Sequence, residues 1–346
     1  MGKHTAVKQK NTRKRAAPRG GKRRSPLRAP LVILALILAA ALILGAVLLI
    51  APLTERVDDT VVPGSADWMA RLGNEKPLNE IVLPGSHNSA ARYVEHAFFA
   101  KCQTLGIGEQ LEAGVRYLDL RLDMDGTRFK LMHGPAECRT SLLGGALTLD
   151  ELLADCYAFL DAHPTETVLL AVAQEPGGDE IRSFQLLLDA YVREAPERWL
   201  LTDRIPTLGE ARGKLVLLRR YEDEAGLLQA AGLSLLWRDQ GGSEDTTLGA
   251  EAAQQRIYLL YVQDRYEYAA KDKWEAFLAG VRSTQDGAVS LNFLSSKGEE
   301  KDGHPYEFAK SLNQKLMEAE DSALGGWIVT DFVSATLAER IYRLNF

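Results

Sequence analysis

Residues 114–122 read GVRYLDLRL. Apolar side chains fall on both parities of this short run, which suits a strand buried on both faces of a parallel sheet. Asp119 and Arg121 are two positions apart, so on a strand they share one face. Seven comparable runs lie on either side: EIVLPGSH (80–87), FKLMHG (129–134), TVLLAVAQE (167–175), KLVLLRRY (214–221), RIYLLYVQD (256–264), GAVSLNF (287–293) and GWIVTDF (326–332). Helical patterns separate several of them, at 147–163, 180–195, 271–283 and 306–320. Strands that alternate with helices define an α/β architecture, and eight units favour one TIM-type (β/α) barrel, irregular in its details, over an open sheet. The barrel is expected over 78–346, with 54–77, polar and carrying Pro63, Gly64 and Gly73, as its linker.

Ahead of that linker, residues 31–50 read LVILALILAAALILGAVLLI, twenty apolar residues without a charge. Such a helix spans about 30 Å of hydrocarbon. A transmembrane helix over 31–53 is therefore predicted. The competing reading is a cleaved signal peptide, whose apolar region usually runs about 7–15 residues to a small-residue cleavage site. Residues 1–30 carry eleven Lys or Arg and no acid, and removing those charges from the net −6 leaves −17 on the remainder. A basic flank stays cytoplasmic, which places the barrel outside the cell membrane as a single-pass protein, or releases it if the segment is cleaved. The acidic body argues against nucleic acid as a partner. Cys102, Cys138 and Cys156 would be exported, where disulfides persist, and one bond among the three is expected; their spacing fits no zinc motif.

Barrel active sites gather at the carboxyl ends of the strands. The polar residues there are His87, Asp119, Arg121, His133, Glu175, Arg220, Asp264, Asn292 and Asp331. Two of only six histidines, His87 in LPGSHNSA and His133 in LMHGPAE, directly follow apolar runs. Near-neutral pKa values let one imidazole take a proton while another donates one, as cleavage of a phosphodiester by an internal hydroxyl requires. Arg121 offers a planar guanidinium to a phosphate, and Asp119 would orient it. Glu175 reads equally as a pocket acid or a solvated turn residue. Trp327 and Trp237 read as core or rim packing. Among Tyr258, Tyr261, Tyr266 and Tyr268, Tyr266 shares the strand-face parity of Asp264.

The blocks LPGSHNS, GVRYLDLRL with LMHGP, TLGEARGKLVLLRRY, YVQDRY and GWIVTDF stand in the order found in bacterial phosphatidylinositol-specific phospholipase C, the X-type catalytic barrel, which the chain resembles from about Leu78 to its end. The resemblance implies that His87, backed by Asp331, is the general base toward the inositol 2-hydroxyl and His133 the general acid toward the diacylglycerol oxygen. Arg121 would contact the phosphate, where calcium-dependent relatives place a metal-binding acid. Arg220 and Asp264 would hold inositol hydroxyls, and Tyr306 would line the ring pocket beside Tyr266. Diacylglycerol and inositol 1,2-cyclic phosphate are the products implied, from a phosphoinositide or a glycosylated derivative at a membrane, without a cofactor. Two departures stand out. Asn88 replaces the usual bacterial Asp and matches the calcium-dependent enzymes, and Ala173 and Gln174 occupy the place of a strand-end lysine. Metal-dependent phosphodiesterase chemistry and a tethered binding module without turnover are the alternatives.

Overall fold

The computed structural model describes residues 2, 28–175, 177–178, 180–224, 232–241, 250–255, 257–299 and 303–346. The basic arm lies almost wholly outside the described residues. The chain forms two compact units, Met1–Val47 and Leu48–Phe346. The apolar run forms helix α1 (Arg28–Thr54), of which Pro30–Thr54 is long and apolar enough, by length and composition, to cross a membrane. Its 27 residues rise about 40 Å at ~1.5 Å each.

In the second unit the chain forms strands β1 (Leu83–Ser86), β2 (Tyr117–Asp125), β3 (Arg128–His133), β4 (Ala136–Glu137), β5 (Val168–Gln174), β6 (Trp199–Leu200), β7 (Leu215–Arg219), β8 (Leu233–Ser234), β9 (Glu251–Gln254), β10 (Leu259–Gln263), β11 (Val289–Phe293) and β12 (Trp327–Thr330). Between and after them come helices α2 (Ala97–Ala100), α3 (Ile107–Glu112), α4 (Leu149–Ala162), α5 (Ile181–Glu194), α6 (Leu208–Ala211), α7 (Ala270–Ser283), α8 (Pro305–Glu318) and α9 (Ala335–Tyr342). Among the described residues the sheet runs β6-β7-β5-β2-β1-β12-β11-β10-β9, with β8 also on β7 and the hairpin arm β3 on β2. First and last strands are thus neighbours, Leu83 opposite Trp327 and Ser86 opposite Thr330. This is the predicted TIM-type barrel, with an interruption. No backbone ladder joins β8 to β10 among the described residues; instead Tyr258 donates its hydroxyl to Ser234 O at 2.5 Å and the Gln255 amide bonds both N–H and C=O of Leu236.

All eight apolar runs contain strands, but FKLMHG is not one of the parallel set. It forms β3, which folds back antiparallel on β2 through a turn at Gly126, where φ is +63°. The parallel place is taken by the two-residue strand β8, too short to leave a periodic signal. The 54–77 segment is likewise more than a linker. Trp68 and Met69 are buried, Trp68 stacks on Tyr342 at 5.2 Å and donates Nε1–H to Gly114 O at 3.0 Å. Helix starts follow local chemistry: Thr148 and Glu151 exchange side-chain and backbone bonds as a capping box at α4, as Thr207 and Glu210 do at α6.

Parity along the strands decides where function can sit. Leu83, Tyr117, Leu169, Ala171, Val216, Leu218, Leu260, Val262, Leu291, Trp327 and Val329 form one buried cluster, the barrel interior. Leu118, Leu120, Val168, Leu170, Leu215 and Leu217 belong to a second, packed with α3, α4 and α5. Each such side chain contributes about 1.5–3 kcal/mol by leaving water. Gly85 keeps the interior open: a Cβ there would stand 3.0–3.1 Å from Tyr117 and Val329 atoms.

Candidate active site

Continuing the interior parity by one or two steps turns the wall from apolar to charged. Leu83 and Gly85 lead to His87, Tyr117 to Asp119 and Arg121, Val216 and Leu218 to Arg220, Leu260 and Val262 to Asp264, Trp327 and Val329 to Asp331. His87, Arg121, Arg220, Asp264 and Asp331 line a cavity of about 500 Å³ at the carboxyl ends of the strands, together with His133, Trp237, Tyr266 and Phe293, while Asp119 is fully buried outside its lining.

His87 leaves β1 with its N–H bonded to Thr330 O at 2.9 Å. Its ring Nδ1 is 2.8 Å from Asp331 Oδ1, and its Nε2 is 2.8 Å from Asn88 Nδ2. A carboxylate only accepts, so Nδ1 carries the proton and the Nε2 lone pair accepts from the amide. Asn88 takes a positive φ of 40° and donates its backbone N–H to Asp119 Oδ2 at 3.3 Å, leaving Oδ1 buried without a partner.

His133 reaches the same mouth by the β2–β3 hairpin rather than at the end of a barrel strand. Accordingly β2 does not end at Asp-x-Arg but runs on to Asp125. The His133 Nδ1 is 2.7 Å from Ala100 O and 3.7 Å from Cys102 Sγ. The two imidazoles stand 5.9 Å apart between centroids at 82°. Burial, then the neighbouring His87, pushes His133 from the usual histidine range down to about 3, so the unliganded pocket holds it neutral.

Asp119 does not pair directly with Arg121. Its Oδ1 accepts from Arg220 Nη1 at 2.7 Å, and Arg220 lies over the Trp237 ring at 4.1 Å. Trp237 packs against the barrel core at the rim of the cavity, as the core-or-rim reading expected, and Trp327 is core. Burial would raise the Asp119 pKa, but Arg220, Arg121 and His87 outweigh it and hold the carboxyl low. Arg121 lines the cavity with its Nε buried and without a partner. Glu175 stands near it, half-buried with Oε2 unpartnered, its pKa raised by burial against the pull of Arg121. It does not line the cavity, and its half-burial sets it apart from a fully solvated turn residue. Asp264 is raised by burial, opposed first by Lys273 and Arg220. Lys273, enclosed on α7 and bonded to Gln263 Oε1 at 3.0 Å, is lowered by burial to about 7.

Tyr266 lines the cavity and donates its hydroxyl to Asp239 at 2.9 Å; Tyr258 and Tyr261 are buried elsewhere in the wall. Tyr306 is not in this cavity. It is the second residue of α8, after Pro305, which does line the pocket, and its hydroxyl donates to Arg56 O at 2.8 Å and accepts from Arg56 N–H at 3.3 Å. Asn292 is turned into the wall, donating to Phe277 O at 2.8 Å. The expected disulfide is absent: Cys102, Cys138 and Cys156 are free and buried. Cys138 and Cys156 fill space as small apolar side chains, and burial pushes the Cys138 thiol up to about 12. The residues that sequence reasoning missed are Cys102 and Gln103, from a loop that carries no strand-end signal. Gln103 Nε2 donates to His87 O at 2.9 Å and Thr330 O at 3.1 Å, tying β1 to β12 at the dyad.

The chain is a TIM-type barrel with two histidines and a guanidinium at its carboxyl mouth, an arrangement similar to that of phospholipase C-like barrels. Residues 74–224 match the PI-PLC X 1 family. The 1-phosphatidylinositol phosphodiesterase of Staphylococcus aureus (strain Newman) is 27% identical over 300 residues, covering 80% of this chain and 91% of that protein. The PI-PLC X domain-containing protein 1 of Homo sapiens is 29% identical over 196 residues, 46% of this chain and 58% of that one. Among solved structures, phosphatidylinositol-specific phospholipase C of Staphylococcus aureus superposes with a TM-score of 0.66 at 23% identity, covering 82% of this chain and 99% of the other. The enzyme of Listeria monocytogenes gives 0.61 at 20% identity, over 82% and 99%. Residues 74–224 thus resemble the PI-PLC X 1 family, and most of the chain is similar to bacterial 1-phosphatidylinositol phosphodiesterases.

Proposed function

We propose that this chain is a phosphatidylinositol-specific phospholipase C-type phosphodiesterase, a lyase that releases diacylglycerol and inositol 1,2-cyclic phosphate. The observation that carries the reading is the pair of imidazoles 5.9 Å apart, with Arg121 lining the same cavity. His87 Nε2 takes the proton of the inositol 2-hydroxyl, once that hydroxyl replaces the Asn88 amide. The 2-oxygen bonds to phosphorus as the bond to the glycerol oxygen breaks, and His133 gives that oxygen its proton. The phosphate's negative charge is what lets His133 hold the proton to be donated. Asp331 fixes the tautomer of His87 and stabilises the imidazolium, while Arg121 meets the charge growing on the phosphoryl oxygens. Arg220, Asp264 and Tyr266 hold the ring. The inward position of β5 is Ala173, so the ring meets no cation there; Glu175 acts through Arg121.

Calcium does not fit these residues. It needs six to eight oxygen ligands, whereas Asp119 is committed to Arg220 and a guanidinium occupies the phosphate side. We therefore read the reaction as independent of a resident metal, including with Asn88 in place. The domain reading follows: a basic cytoplasmic arm, α1 as a single-pass anchor or cleaved signal, and a barrel outside the membrane acting on a phosphoinositide or a glycosylated derivative. Incubating the detergent-solubilised chain with phosphatidylinositol or phosphatidylcholine, with and without chelator, tests this. Phosphorus NMR should show a five-membered cyclic phosphate from the inositol lipid alone, equally in both conditions. Calcium-dependent release, or saturable inositol phosphate binding without product, would overturn it.

A further inference from the structure

Cys102 lines the active-site cavity yet has no part in the acid/base scheme. A ring nitrogen of His87, the Cys102 sulfur and a carboxylate oxygen of Asp331 all lie within 4.8 Å of one another. The three segments that carry them are braced together. Phe332, next to Asp331, donates its N–H to Cys102 O at 2.6 Å, and Gln103 holds His87 O and Thr330 O. A tetrahedral zinc ion binds such donors at about 2.0–2.3 Å, which sets neighbouring ligand atoms roughly 3.3–3.7 Å apart. Side-chain shifts of about 1 Å close the present cluster to that size. Thiolate and imidazole select soft or borderline ions over calcium and magnesium, which prefer oxygen.

We infer that the barrel mouth is a binding site for a thiophilic divalent cation, Zn²⁺ first among them, held by His87, Cys102 and Asp331 with a fourth position open to the pocket. The ion is an inhibitor and not a cofactor. It takes the ring of the general base and the carboxylate that orients it. The Cys102 proton leaves to solvent, the neutral His87 ring keeps its one proton on the nitrogen turned away from the ion, and thiolate plus carboxylate cancel the two charges of the ion, so Arg121 nearby faces no uncompensated cation. Inhibition rests on the reading of His87 as the base; binding does not.

Titrating the full chain in detergent with Co²⁺, a spectroscopic stand-in for zinc, tests binding without activity. A thiolate-to-cobalt charge-transfer band with tetrahedral d–d absorption is expected, lost in Cys102→Ala and displaced by Zn²⁺. The Cys138→Ala/Cys156→Ala variant, with Cys102 as its one thiol, keeps the band. Each protein's cleavage rate in Zn²⁺ is then divided by its own rate in chelator. Cys102→Ala should need at least about tenfold more Zn²⁺ than the parent for the same loss, the usual scale for a damaged zinc site. No charge-transfer band, a band that survives Cys102→Ala, a band lost from the single-thiol variant, or equal zinc sensitivity of parent and Cys102→Ala would each overturn the site. A cobalt band in a chain that cleaves no phosphatidylinositol sinks the functional reading and leaves the site standing.

Discussion

The Nδ1 of His87 lies 2.8 Å from Oδ1 of Asp331, across 244 positions of the chain. The first and last strands of the barrel are hydrogen-bonded neighbours, and each delivers one member of the pair at the same interior parity. Because the carboxylate accepts from Nδ1, the lone pair of Nε2 is the one available for the proposed proton transfer. Asp331→Asn keeps the shape but removes the acceptor charge that fixes this tautomer. It should lower kcat about 10²- to 10⁴-fold with little change in KM. Steady-state cleavage of micellar phosphatidylinositol measures both, and an undiminished kcat would separate Asp331 from the chemistry.

Proton uptake on binding is expected from His133. Buried beside His87, its ring is held at about 3 in the free pocket, so at pH 6–7 it enters neutral. A phosphate between the two rings favours the charged form and raises that pKa. The sign is uptake, present from just above 3 up to the pKa of the complex. Calorimetry of inositol 1-phosphate binding at pH 6.5, in buffers of different ionisation enthalpy, should show up to about one proton taken up. The uptake should vanish in His133→Gln. Zero uptake by the parent would remove His133 as the acid.

Arg220 is gripped from two sides, by Asp119 at 2.7 Å and by the Trp237 face at 4.1 Å. Trp237→Ala removes a cation–π contact worth about 0.5–2 kcal/mol, or roughly 2- to 30-fold in ring binding. The expected signature is a raised KM with kcat nearly intact, since Trp237 touches Arg220, the arginine proposed to hold the ring, and not the groups proposed to move protons. A fall in kcat at unchanged KM would contradict that role.

Strand periodicity made the interior wall legible. Asp119, Arg121, Arg220, Asp264 and Asp331 all sit where the two-residue repeat puts them, and the family blocks fixed their order. What periodicity could not show is how loops return. His133 was found by its neighbours in sequence, but its route, a hairpin folded back on β2, depends on a long antiparallel pairing. Cys102 and Gln103 lie between two helices of four and six residues, where no repeat exists to be read. Tyr306 was misplaced because an aromatic at a helix start can face either side, and here the backbone of Arg56 captures its hydroxyl. A barrel interrupted between β8 and β10 is equally invisible, since side chains and not a strand pattern bridge the gap.

Stability should depend on a pair far from the chemistry. Arg116 and Glu166 are both fully buried, with Arg116 Nη2 and Nε at 2.8 and 3.0 Å from Glu166 Oε2. The guanidinium also donates to the carbonyls of Leu111 at 2.7 Å, Val115 at 2.8 Å and Ala66 at 2.8 Å. Arg116 precedes β2, so it sits at the amino end of the barrel, where buried polar residues serve folding more than catalysis. Arg116→Met strands the Glu166 carboxylate and several carbonyls, which should cost about 3–5 kcal/mol. Arg116→Met/Glu166→Leu should recover part of that loss by removing the orphaned charge. Chemical denaturation of the detergent-solubilised proteins measures both, while cleavage per folded molecule should stay within about threefold of the parent, the mouth being untouched. If the double variant is less stable than the single one, the cost lies in the lost carbonyl contacts and not in the uncompensated carboxylate.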